Sequence, residues 1–221
     1  MKGISTQLLL QMLPLSQDHA ETMALLRELG GRVDVFNIEP VLRLCVESRT
    51  PQNLRAQAAQ TAAALNPERT VAWLTQIAQS NSTSNPQRCL ATASLADCFL
   101  PQKTLKVIEQ LAAGKQNPVD VRLMAIKSAV RYHNLRTLSV LLPLQMENDD
   151  RIAAAATRGI DQLIASQGGA EMAVRNMIRL VDKLEAERRT DTARKVLETA
   201  SSILPRHADV VQRLRRLRAV A

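Results

Sequence analysis

The sequence predicts an all-α chain of about 12–13 helices, stacked as hairpins into an α-solenoid. Three observations carry this. The first is composition. Of 221 residues 46% are hydrophobic, yet only 2% are aromatic and seven are glycine, so the core must be filled by Leu, Ile, Val, Met and Ala. Ala and Leu are strong helix formers. The second is periodicity: apolar residues recur at spacings of three and four, and strand-like alternation of β-branched residues is hard to find. The third is a repeated segment in the middle of the chain, led each time by arginine. With 23% charged residues the chain reads as folded rather than disordered.

The first 48 residues are expected to form capping helices, over about 4–13, 18–29 and 38–48, because the end of a stack must turn one face to water. The opening stretch MKGISTQLLLQMLPLSQDHA has one lysine and a short apolar run. Gln7 and Gln11 interrupt that run and no small-x-small site follows, so it reads as a helix rather than a signal peptide. Gly30-Gly31 reads as the C-cap and loop that end the second helix. No apolar stretch reaches the roughly 18–20 residues of a membrane span, and no integral membrane contact is expected.

Residues 49–168 carry the repeat. The segments RAQAAQTAAAL, RCLATASLADC, RLMAIKSAVRY and RIAAAATRGID begin at Arg55, Arg88, Arg122 and Arg151, spaced by 33, 34 and 29 residues. Three residues after each arginine stands alanine: Ala58, Ala91, Ala125 and Ala154. Six after stands a hydroxyl: Thr61, Ser94, Ser128 and Thr157. The alanines are expected to let neighbouring helices approach closely, and the hydroxyls to bond to the carbonyl four residues back on their own helix. Thr50-Pro51, Asn85-Pro86, Asn117-Pro118 and Asn148-Asp149 precede the four helices, with the polar residue as expected cap and proline in the first turn. Asp120, Asp149 and Asp150 suit the positive end of the helix dipole. A second apolar stripe follows each of the first three: Val71, Leu74 and Ile77; Leu105, Ile108 and Leu111; Leu138, Leu141 and Leu142.

This run of turn, acid, Val-Arg, spaced alanines and a Leu-rich second helix resembles the HEAT-repeat family, most closely in PVDVRLMAIKSA, Pro118 to Ala129, and over roughly residues 36–165. It departs from the family pattern in the short third spacing and in Arg55, which lacks an acid beside it. The resemblance implies a right-handed stack in which the arginine-led helices line the concave face and the second helices the convex face. It would place Gln57, Lys127, Arg131, Arg158 and Gln162 on or near the inner surface, and the last four with Lys127 at their head are the binding candidates there.

Residues 169–221 are expected to continue the solenoid as a basic hairpin and a capping helix. From Val174 on there are twelve basic and six acidic residues, which is most of the chain's formal charge of +8. Ala193, Leu197, Ala200 and Pro205 keep the spacing of the second helix of a tetratricopeptide repeat, and Met177, Leu180 and Leu184 would fill the first, so this part resembles one degenerate hairpin of that type, without the family's Trp, Gly and Tyr. The last helix, ADVVQRLRRLRAV, sets Val210, Val211, Leu214 and Leu217 on one face and carries Arg213, Arg215, Arg216 and Arg218, the second group of binding candidates.

No catalytic pattern emerges. His19, His133 and His207 are far apart in sequence and lack metal-ligand spacing, and His133 beside Asn134 reads as the end of a helix. There is no Gly-rich phosphate loop, GxSxG or HExxH. Some HEAT-like proteins are DNA glycosylases, but no motif carries their acid and aromatic residues onto this chain, and Trp73 is assigned to packing. Neither enzyme activity nor a cofactor or metal is expected. Cys45, Cys89 and Cys98 are odd in number and form no CxxC, which points to buried thiols in a reducing compartment and a cytoplasmic location. The expected role is a non-catalytic scaffold or adaptor whose partner is another protein. The alternative is nucleic acid held by the basic C-terminal quarter, although no aromatic residue after Tyr132 offers a stacking surface.

Overall fold

The computed structural model describes residues 5–13, 15–16, 18–32 and 37–219, the last two of these without side chains. The first residue of the helix expected over 4–13, Phe36 at the start of the repeat region and the last two residues lie outside them. Among the described residues there are thirteen α-helices, one 3-10 helix and no strand. They are α1 (Thr6–Met12), α2 (His19–Gly30), α3 (Glu39–Val46), α4 (Gln52–Leu65), α5 (Pro67–Gln79), α6 (Asn85–Asp97), α7 (Pro101–Ala113), α8 (Val119–Val130), the 3-10 helix Leu135–Thr137, α9 (Leu138–Leu144), α10 (Asp150–Ala165), α11 (Ala170–Ala186), α12 (Thr190–Ile203) and α13 (Ala208–Ala219). The all-α expectation is met, and none of these helices is long and apolar enough to cross a membrane.

The chain divides into two compact units, Met1–Ser128 and Ala129–Ala221. In the first, α4 lies against α2, α3, α5 and α6, while α7 lies against α5 and α6. Ala58, Ala91 and Ala125, on α4, α6 and α8, are fully buried, as the close-packing role requires. The second helices bury their leucine stripe, with Leu74, Leu105, Ile108 and Leu111 inside, whereas Val71 and Ile77 are half-buried, as is Trp73. In the second unit α11 and α12 form a hairpin around Met177, Leu180, Leu184, Ala193, Leu197 and Ala200, all buried, with α13 against α12.

The fourth copy of the repeat needs correcting. Ala154 and Thr157 are exposed. Ala58, Ala91 and Ala125 are each the seventh residue of their helix, and the seventh residue of α10 is Ala156, which is fully buried. Alignment on Arg151 runs two residues out of phase, because the helix starts from its cap. Asp149 accepts hydrogen bonds from the Arg151 and Ile152 amides at 3.0 and 3.1 Å, and this fixes the register. In phase, α10 has Ala153 where the other helices have arginine and Gly159 where they have a hydroxyl.

The capping expectation also fails at two turns. Neither α4 nor α6 receives a side-chain cap from Thr50 or Asn85; α6 is preceded instead by Ser84, whose hydroxyl donates to Gln87 Oε1. Asn117 has another task, described below. Turns between paired helices close on left-handed residues that are not glycine: Phe99 after α6, His133 after α8 and Arg188 after α11. The His133 amide donates to Val130 O at 3.0 Å, which is the helix-end role expected of it. Glycine is required before α11, where Gly168 and Gly169 take φ of 80° and 128°.

Candidate functional site

The period has a physical cause in buried arginine. Arg88 and Arg122 are 3% and 5% exposed, unusual for a guanidinium. Arg88 Nε donates to Ala78 O and Arg122 Nε to Ala112 O, each at 2.9 Å and each ten residues back. Ala78 and Ala112 lie in the last turns of α5 and α7, where carbonyls have no partner within the helix. The α5–α6 and α7–α8 connections are both five residues long, and the arginine is the fourth residue of the next helix, so the same reach recurs. A positive side chain at that end also suits the helix dipole.

Arg88 NH2 donates further to Asn117 Oδ1 at 2.7 Å, and Asn117 Nδ2 donates to Leu111 O at 3.1 Å, another last-turn carbonyl. Asn117 therefore closes α7 rather than opening α8. Its fold-back crowds Gly114, where a methyl group would meet Asn117 Nδ2 at 2.8 Å. Arg55, the first arginine of the series, donates to Thr50 O in the loop before its own helix.

Two buried members of the hydroxyl column, Thr61 and Ser94, bond to another helix instead of making the expected bond to their own. Thr61 Oγ1 donates to Leu26 O of α2 at 3.0 Å, and Ser94 Oγ to Cys45 O of α3 at 2.9 Å. Both tie one helix to another. Thr157 does make the four-back bond, to Ala153 O at 3.0 Å, and it is the exposed, out-of-phase member. Near Ser94, burial pushes the Cys98 thiol up to about 12 and Cys45 up as well, so both stay protonated and unreactive. Cys89 is only partly buried, and its thiol too is raised by burial.

Of the residues expected on an inner surface, Lys127, Arg131, Arg158 and Gln162 are exposed, while Gln57 is half-buried and donates to Thr61 Oγ1 at 3.4 Å. On the last helix, two of the four expected arginines face carboxylates. Arg213 pairs with Asp182 of α11 and, at 2.8 Å, with Asp209, which raises its pKa. Arg216 NH2 reaches both oxygens of Glu185 at 2.7 Å. Arg215 is exposed, and the side chain of Arg218 lies outside the described ones. The pairs with Asp182 and Glu185 link α13 to α11. The Arg216 side chain is 59% exposed, so its pair is screened by water and worth little. Arg216→Ala is expected to move the melting temperature by less than about 2 °C; a thermal melt showing a large drop would contradict this.

Among the described residues, no group of three or more His, Cys, Asp or Glu is placed to hold a metal ion. A cleft of about 600 Å³ in the first unit mixes both signs of charge, including Glu47 and Arg49, and its Arg43 is already held by Glu39 at 2.7 Å. A smaller cleft in the second unit is one-sided in charge. It includes Arg136, Arg179, Lys183 and Arg189, none of which the sequence reading singled out. The available signal was the spacing of Arg175, Arg179 and Lys183, four apart on one helix face. No family model matches the chain, and no curated protein matches it.

Proposed function

We propose that the chain is a non-catalytic interaction scaffold, a HEAT-like right-handed solenoid with a tetratricopeptide-like hairpin near its end, working in the cytoplasm with another protein as partner. The observation that carries this reading is the recurrent clamp of Arg88 and Arg122 on the preceding helix. It accounts for the polar residues of the repeat as devices that join hairpins, and leaves recognition to outward-facing side chains such as Lys127 on α8 and Arg158 and Gln162 on α10. Nucleic acid bound by the α13 arginines is the weaker reading, since Arg213 and Arg216 already face carboxylates.

The test is affinity capture from the source cell with the wild-type chain and with Lys127→Glu and Arg158→Glu variants of unchanged melting temperature. A protein held by the wild type and lost from at least one variant supports the scaffold. Recovery of no protein, or of the same proteins on all three baits, counts against it.

A further inference from the structure

In the second unit three arginines outside the cleft meet carboxylates: Arg213 with Asp182 and Asp209, Arg216 with Glu185, Arg194 with Asp191. The cleft between the 3-10 helix, α11 and the turn after α11 instead gathers cations at one place. It encloses about 310 Å³, and Arg136, Arg179, Lys183 and Arg189 line it against a single carboxylate, Glu187. Arg189 lies 3.7 Å from that carboxylate. Among the described residues, no carboxylate pairs with Arg136, Arg179 or Lys183.

α11 sorts its charges by face. Met177, Leu180, Val181 and Leu184 are buried. Asp182 and Glu185 lie to one side of this core face and engage α13. Arg179 and Lys183, four residues apart, lie on the other side and line the cleft. Like charges at that spacing repel and weaken a helix. Asp182 and Glu185 are engaged by α13, so Glu187 is the one carboxylate that lines the cleft against its cations. Buried Leu135, Leu180 and Leu184 form its low-dielectric wall, which concentrates the field in the opening.

We propose that this cleft is a binding site for a ligand carrying two or more adjacent phosphates. Three guanidinium groups offer planar forks for phosphate oxygens, and Lys183 adds a compact charge. Four cations against one carboxylate leave a formal +3, more than a single phosphate neutralises. No aromatic side chain lines the cleft, so a base would find no stacking surface and the phosphates themselves are what is recognised. Adjacent phosphates come either as a free oligophosphate or as the backbone of a single-stranded nucleic acid.

The experiment titrates inorganic tripolyphosphate into the full chain by calorimetry, at low and raised salt. Arg179→Gln/Lys183→Gln is compared with Lys106→Gln/Arg206→Gln, a control that removes the same charge from exposed positions outside the cleft. All four side chains are exposed, so both variants should fold and melt as the wild type does. The expected result is saturable binding with one ligand per chain that weakens as salt rises, at least about tenfold weaker in the cleft variant and less than about twofold weaker in the control. No saturable binding, or equal losses in the two variants, would overturn the proposal. A labelled single-stranded oligonucleotide identifies the source. Binding that tripolyphosphate displaces and the cleft variant loses makes the ligand a nucleic-acid backbone; no oligonucleotide binding beside tight tripolyphosphate binding makes it a free oligophosphate.

Discussion

Ala156→Asp is expected to destabilise the second unit by several kcal/mol, while Ala154→Asp, two residues away, leaves it nearly unchanged. The first substitution puts a carboxylate at a fully buried seventh position of α10. The second puts the same carboxylate on an exposed face. At about 2–4 °C per kcal/mol for a chain of this size, the expected fall for Ala156→Asp is roughly 10 °C or more, and for Ala154→Asp less than about 2 °C. Thermal melts followed by circular dichroism read both. The pair separates two alignments of the same repeat. If Ala154→Asp proved the damaging change, the arginine-keyed register would be right and the cap-keyed register wrong. Ala125→Asp, at the seventh position of α8, should fall in the severe class with Ala156→Asp.

Alignment on arginine failed there for a reason that extends to the rest of the repeat. Helices were legible because burial imposes a three-to-four spacing that survives any partner. Leu105, Ile108 and Leu111 on α7 and Met177, Leu180 and Leu184 on α11 sit inside as their spacing required. Polar residues have no such periodic signature, since their role depends on where an acceptor lies in space. Thr61 and Ser94 find theirs 35 and 49 residues away. Arg213 and Arg216 each find a carboxylate 31 residues upstream, so a basic run in sequence is a paired seam in the fold. Asn117 has the sequence context of a cap but bonds backwards, to Leu111 O, because Gly114 lets the loop turn that closely. The cleft was half legible: its two cations from α11, Arg179 and Lys183, share a face by spacing alone, but Arg136 joins them only once the chain has folded.

Arg88→Ala is expected to cost about 3–4 kcal/mol, more than most surface or helix-end changes could. Arg88 is nearly excluded from water, and it gives Nε to Ala78 O and NH2 to Asn117 Oδ1. Truncation leaves both acceptors without this donor and opens the space its side chain filled. Arg88→Met should be milder, at about 1–3 kcal/mol, because the chain length is kept and no charge has to be buried, although both acceptors still lose their bond. Arg88→Lys should be no better than methionine. A single ammonium cannot meet two acceptors that the guanidinium fork reaches together, and it carries the cost of desolvation in full. Urea unfolding of the three variants gives the order. Coupling between Arg88→Met and Asn117→Ala of about 0.5–3 kcal/mol in a double-mutant cycle would locate the effect in that bond. If Arg88→Ala unfolded at the wild-type midpoint, the buried arginine would be a passenger in the interior, and some other contact would have to account for the recurrent ten-residue reach.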